Sequence, residues 1–239
     1  MILVTSGCSF SRPGVDGWPH TYTWSNYLEQ KINPSTTIHT GLSCQGNDMI
    51  SRKVIYNVTK LLEHNDSKDI VVCIMWSGVD RHSLYSSTEM SEFVNLFPEQ
   101  ENPTSVVPDE KKWYILNSAD PTVSKIFYST FYDYTESAVK SCEHILRTQW
   151  FLEKHNIRYV MSTYMSTVLP KKFLEISEVA YLYKQINFDY FLKIDGELEW
   201  CKEYSGLPFN GDDLHPTHLQ HEAFTDRIII PFLKENKYI

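Results

Sequence analysis

Ser9, Asp212 and His215 are the residues of this 239-residue chain whose types and spacing could do chemistry together. A serine hydroxyl is a weak nucleophile at neutral pH and needs a base to take its proton as it attacks. A neutral imidazole is such a base, and a carboxylate on its other ring nitrogen fixes the tautomer and stabilises the imidazolium. In Asp212-Asp-Leu-His-Pro216 the acid and the histidine are three residues apart, so one loop could carry both base and orienter. The tetrahedral oxyanion would need donors, which the backbone N–H of Ser9, small-residue amides near Gly46 and the side chain of Asn47 could supply. Each piece has a bland reading: a Ser after a strand is commonly a cap, and Asp-x-x-His commonly opens a helix. Cys8 is a rival nucleophile, but the residue beside a nucleophile in a turn normally points elsewhere, and Cys is commonly just buried. Asp213 should face away from Asp212, and His20, His218 and His221 read as surface or structural groups.

The elements that must position these residues follow from pattern. Ile2 to Thr5 is a short apolar run ending in Ser6-Gly-Cys-Ser9, as a central parallel strand and its exit turn would be. A helix from about Thr23 to Ile32 ends at Asn33-Pro34, and a β-branched strand, Thr36 to Thr40, runs into Gly41-Leu-Ser-Cys-Gln-Gly-Asn-Asp48. A helix of roughly Asp48 to His64 follows, then a buried strand from Asp69 to Trp76 that exits through Ser77-Gly-Val-Asp-Arg81. Residues of about 82–119 carry three prolines and a weak pattern, and are expected to be an irregular insertion over one sheet edge. Asp120-Pro121 should start one long helix to about His155, with Phe127, Phe131, Tyr134, Ala138, Cys142, Ile145 and Leu152 on its buried face. Then come a strand, Arg158 to Thr163, helical segments around Glu175 to Leu192, and a last helix from Pro216 to about Lys234, frayed by Pro231. Strands alternating with helices predict one α/β domain, a three-layer α/β/α sandwich around a mainly parallel sheet. Such sheets bind ligands beyond the carboxyl ends of their strands, where Ser9 falls.

Composition narrows the function classes. A formal charge of -8 gives no basic surface for nucleic acid or an anionic membrane. No apolar run approaches the length of a membrane span, and no cationic leader precedes the first strand. Five cysteines at scattered spacings suit free thiols in a reducing compartment, such as the cytoplasm, better than a disulfide framework. The acids and histidines show no metal-ligand spacing, so neither a metal nor a cofactor is expected. The pattern leaves the oligomeric state open.

Gly7-Cys-Ser9-Phe10 followed much later by Asp212-Asp-Leu-His215-Pro216 resembles the SGNH (GDSL-type) hydrolase superfamily. The resemblance implies a flavodoxin-like α/β/α fold and hydrolysis of carboxylic esters, frequently acyl groups on carbohydrates or lipids. It implies Ser9 as nucleophile, His215 as base and Asp212 as third member. It also implies an oxyanion hole from Ser9 and a glycine in Ser43-Cys-Gln-Gly-Asn47, either Gly46 or, in another register, the position of Cys44. Two departures stand out. Cys8 replaces the family's usual Asp, as in a viral and bacterial subset beginning Gly-Cys-Ser-Phe. The third block, normally Gly-x-Asn-Asp, is Ser77-Gly-Val-Asp-Arg81, so either Val79 or Asp80 stands where an amide donor is needed. Asn47, Arg81 or another group would have to substitute. The expected partner is a small-molecule or carbohydrate ester. The alternatives are an O-acyltransferase, and a weakly active or non-catalytic glycan-binding or assembly protein that kept the fold.

Overall fold

The computed structural model describes residues 1–85, 113–116, 123–209 and 215–239. Its strands are β1 (Ile2–Ser6), β2 (Thr36–His39), β3 (Ile70–Trp76), β4 (His82–Tyr85), β5 (Trp113–Leu116) and β6 (Arg158–Thr163). Four of them form a sheet in the order β2-β1-β3-β6, every neighbouring pair parallel. β4 and β5 pair antiparallel, His82 opposite Leu116, and bracket a segment of the expected insertion that lies outside the described residues. The helices are α1 (Trp24–Ile32), α2 (Asn47–Leu62), α3 (Val123–Thr130), α4 (Tyr134–Lys154), α5 (Ser177–Tyr183), α6 (Glu197–Glu203), α7 (His218–Phe224) and α8 (Ile230–Glu235).

The apolar runs of β1 and β3 are continuous because both faces of these strands are covered. Side chains alternate between faces, so Ile2, Val4, Ile70, Val72, Ile74 and Trp76 pack with α2, α4 and α5. Leu3, Val71, Cys73 and Met75 point the other way, onto α1, α6, α7 and α8. The result is an α/β/α sandwich with β1 inside it. β1 is flanked by β2 on one side and β3 on the other, so the chain reverses its direction of travel across the sheet at β1. The exit of β1 is therefore a topological switch point, where doubly wound sheets hold their ligands.

Two expected helices are interrupted. The run to His155 is two helices, because Asp133 adopts an extended conformation and its carboxylate accepts the Glu136 N–H at 2.8 Å, restarting the helix. The break moves Phe131 off the buried stripe and leaves it 70% exposed, while Asp120 and Pro121 fall outside the described residues. The C-terminal helix is also divided. Thr217 caps α7 through a capping box with Gln220, and a π turn over Thr225–Ile229 separates α7 from α8. That turn brings Pro231 into the first turn of α8, where a missing N–H is harmless. α6 was not expected from the sequence.

Candidate active site

Four strand exits meet at one edge of the sheet, and buried polar side chains lace the first three together. The first turn leaves β1 through Gly7 and becomes a 3-10 turn at Ser9–Ser11. A side chain on Gly7 would stand 2.8 Å from the carbonyl of Met75 on β3, so only glycine fits between the strands. Ser11 anchors the turn to α1: its hydroxyl accepts the Trp24 indole N–H at 3.0 Å, and its carbonyl accepts the Ser25 hydroxyl at 3.1 Å. Gln45, fully buried in the second turn, donates its amide to the carbonyl of Gly7 at 2.9 Å. Asn47 binds the second turn to the third, accepting the Ser77 N–H at 2.8 Å and donating to the Ser77 carbonyl at 2.9 Å. Unlinked, each of these buried amides would cost about 1–3 kcal/mol.

On this frame the ends of the chain meet. His215 Nε2 lies 2.7 Å from Ser9 Oγ, across 206 residues of sequence. That is the reach of a general base to the hydroxyl it deprotonates. The imidazole packs against the Phe10 ring at 5.0 Å between centroids, and Phe10 in turn meets the ring of Tyr164, which follows β6, at 5.1 Å. Ser9 and His215 are half-buried, so the pair is open to a ligand. Cys8, by contrast, is fully buried in the core on the α1 side of the sheet, out of reach for a nucleophile's role. Asp212 and Asp213 lie outside the described residues.

Gly46 is the residue before α2, so its N–H stands at the positive end of a 16-residue helix. It is also a glycine by necessity, since a Cβ there would sit 2.5 Å from the Arg81 carbonyl. Cys44, the other register for this role, adopts a left-handed conformation with φ of 60°. Asn47 is a different case. Its amide N–H groups go to the Ser77 carbonyl and to Ser141 Oγ at 3.2 Å, which commits the side chain to the scaffold and corrects its expected role as an oxyanion donor.

At the third turn neither register offers an amide. Val79 is buried in the core, and Asp80 is exposed with its carboxylate folded towards Gly78. Tyr128 of α3 covers this turn, donating its hydroxyl to the Asp80 carbonyl at 2.7 Å, and burial pushes that phenol up to about 12. Arg81 turns back inward. Its Nη1 donates to Ser77 Oγ at 3.1 Å and its guanidinium lies 4.9 Å from the centre of the Tyr164 ring.

Sequence reasoning missed three participants, Gln45, Tyr164 and Glu197; the last pairs behind the site with His221, which the sequence had placed among the surface or structural histidines. Glu197 Oε1 is 2.7 Å from His221 Nδ1, both side chains are buried, and Glu197 Oε2 has no hydrogen-bond partner among the described residues. Burial pushes this carboxyl up, against the opposing pull of His221 and His215. Tyr164 was legible as a residue at a strand exit; the Glu197 pair had no local signal. His20 is exposed beside Trp18, at 5.4 Å between rings. Among the described residues no three His, Cys, Asp or Glu side chains are grouped to hold a metal, the cysteines are all free, and no helix is long and apolar enough to cross a membrane.

A parallel sheet covered on both faces, with a hydroxyl–imidazole pair at its switch point, defines a doubly wound α/β protein. The chain belongs to a family of unknown function, DUF6071, whose model matches residues 8–237. It is similar to a solved member of the lipolytic protein G-D-S-L family from Veillonella parvula DSM 2008, at 8% identity and a TM-score of 0.45, covering 98% of this chain and 97% of that one. A search of curated proteins gives no match.

Proposed function

We propose that the protein is a serine esterase that cleaves carboxylic esters, of O-acetyl or other short acyl groups, through an acyl-enzyme. The observation that carries this reading is the 2.7 Å contact between Ser9 Oγ and His215 Nε2 at the switch point of the sheet. Ser9 Oγ attacks the ester carbonyl carbon while its proton passes to His215 Nε2, and the carbonyl π pair moves to oxygen as an oxyanion. Collapse of that intermediate breaks the bond to the alcohol oxygen, which takes the proton from His215 and leaves. Water then repeats the sequence on the acyl-Ser9 ester, giving the carboxylic acid and free Ser9. The backbone N–H groups of Ser9 and Gly46 face the oxyanion in this scheme, the latter reinforced by the dipole of α2. Asp212 is assigned to His215 Nδ1 on the strength of the Asp-x-x-His motif. Transfer of the acyl group to a sugar hydroxyl in place of water would use the same groups and give acceptor-dependent product.

The test is turnover of a chromogenic acetyl ester, together with labelling by a fluorophosphonate. Ser9→Ala should abolish both while leaving the thermal melt unchanged. Full activity in that variant, or loss in Cys8→Ala instead, would overturn the assignment. A second reading, a glycan-binding protein that kept the fold, is favoured by Val79, Asp80 and the committed amide of Asn47. It expects an unlabelled Ser9 in the wild-type protein.

A further inference from the structure

The site as built has a nucleophile and a base but no amide side chain at the third strand exit, where Val79 is buried and the Asp80 carboxylate, an acceptor, is folded over Gly78. The second turn does not fill the gap either, because both Asn47 amide hydrogens are engaged by Ser77 and Ser141. What the third exit does present is a cation. The Arg81 backbone carbonyl is pressed against Gly46, so the residue is locked to the very turn that carries the proposed oxyanion N–H. Its guanidinium is held from below by Ser77 Oγ at 3.1 Å and from the side by the Tyr164 ring. Tyr164 touches Phe10, and Phe10 touches His215, so guanidinium and imidazole flank one aromatic pair. A guanidinium has five N–H donors, and Ser77 takes one of them among the described residues.

We infer that Arg81 supplies the third oxyanion donor, replacing a neutral amide with a charged guanidinium anchored by Ser77 and Tyr164. The inference rests on the esterase reading and adds a catalytic residue to it. A fixed cation beside the developing oxyanion stabilises the transition state more than the neutral ester carbonyl, so its contribution appears in kcat. Anchoring matters, because a guanidinium free to swing would have to be ordered at the moment of reaction. Ser77 and Tyr164 are therefore positioning residues for Arg81.

The test compares Arg81→Met, Arg81→Gln and Arg81→Lys with the wild-type protein on a neutral acetyl ester, with fluorophosphonate labelling of Ser9 and a thermal melt for each. Arg81→Met should lower kcat on the order of 100- to 1000-fold with KM changed less than about threefold. Arg81→Lys should retain more of kcat than Arg81→Gln, because it keeps the charge, and added guanidinium ion should restore part of the rate to Arg81→Met. An unchanged kcat in Arg81→Met overturns the inference while leaving the esterase reading intact. So does a loss confined to KM, which would make Arg81 a clamp for substrate. If Arg81→Met fails to fold, the Lys and Gln pair decides: equal kcat values overturn the role of the charge. A wild-type protein that neither turns over esters nor labels at Ser9 overturns the esterase reading, and this inference with it.

Discussion

Two hydroxyl–histidine pairs stand within one turn of chain from each other, and only one of them is placed to react. Thr5 Oγ1 lies 2.6 Å from His39 Nδ1, and His39 Nε2 lies 2.9 Å from a Glu29 carboxylate oxygen. Ser9 Oγ lies 2.7 Å from His215 Nε2. By heteroatom distances the first set is a complete hydroxyl–imidazole–carboxylate relay. Its hydroxyl, however, sits inside β1, directly opposite His39 on β2, and Thr5 is 0% exposed. The Thr5 carbonyl is taken by the N–H of Thr40 at 2.8 Å and its hydroxyl at 3.0 Å. A paired strand gives an ester no way in and no spare N–H for an oxyanion. Four residues later the strand has ended, the backbone has turned through Gly7, and the neighbouring exits bring Gly46 and Arg81. The same side-chain chemistry is a cross-strand tie in one place and a candidate active site in the other. The lesson is that a triad is recognised by what surrounds the hydroxyl as much as by the relay behind it.

The comparison breaks most sharply on rate. Ser9→Ala should lower esterase turnover by about 10⁴-fold or more, whereas Thr5→Val should leave kcat within about threefold of wild type. Steady-state assays on the two variants check this, and a dead Thr5→Val beside an active Ser9→Ala would invert the roles. The same pair should separate oppositely in a denaturant melt: Thr5→Val loses about 1–2 kcal/mol because it strands a buried polar partner, and Ser9→Ala loses little. Asn47→Ala sharpens the difference between scaffold and site. It leaves the Ser77 N–H and carbonyl without their partners, and should cost about 2–4 kcal/mol in chemical denaturation as the second and third turns come apart.

A smaller effect is expected in the pH dependence of stability. Burial raises the Glu197 carboxyl above its ordinary range, so folding favours the protonated acid. That contribution is complete below the unfolded carboxyl value and is lost as pH rises through the folded one. The melting temperature of the wild-type protein should therefore fall across that window, and Glu197→Gln, which cannot titrate, should flatten the curve. A parallel slope in both proteins would place the titration elsewhere. Smallest of all, Glu29→Gln should change stability by less than about 1 kcal/mol, because the Glu29 side chain is 42% exposed and its pair with His39 is screened.

Much of this was legible in the chain. β1 and β3 announce themselves as uninterrupted apolar runs, and a strand buried on both faces has no other way to read. Capping chemistry marks α1 at Thr23 and α7 at Thr217, both capping boxes. The break at Asp133 was written in the sequence as well, but a continuous apolar stripe outweighed one capping carboxylate. α6 escaped notice because seven residues carry too little periodicity to distinguish a helix from a loop.

The sequence by itself determined the four strands of the parallel sheet, their exit turns, and the residue types Ser9 and His215 at opposite ends of the chain. These depend on burial and capping, which are short-range and leave a mark within a few residues. β4 and β5, by contrast, fall where an irregular insertion was expected. Only the tertiary structure decided allegiance: that Asn47 serves Ser77, that His39 serves Thr5, that His221 serves Glu197, and that Arg81 turns inward to Ser77 and Tyr164. A polar side chain bonds to whichever group the packing brings within about 3 Å, and those partners come from remote strands and helices. Residue type says what a group can do, and the sheet order says what it is next to.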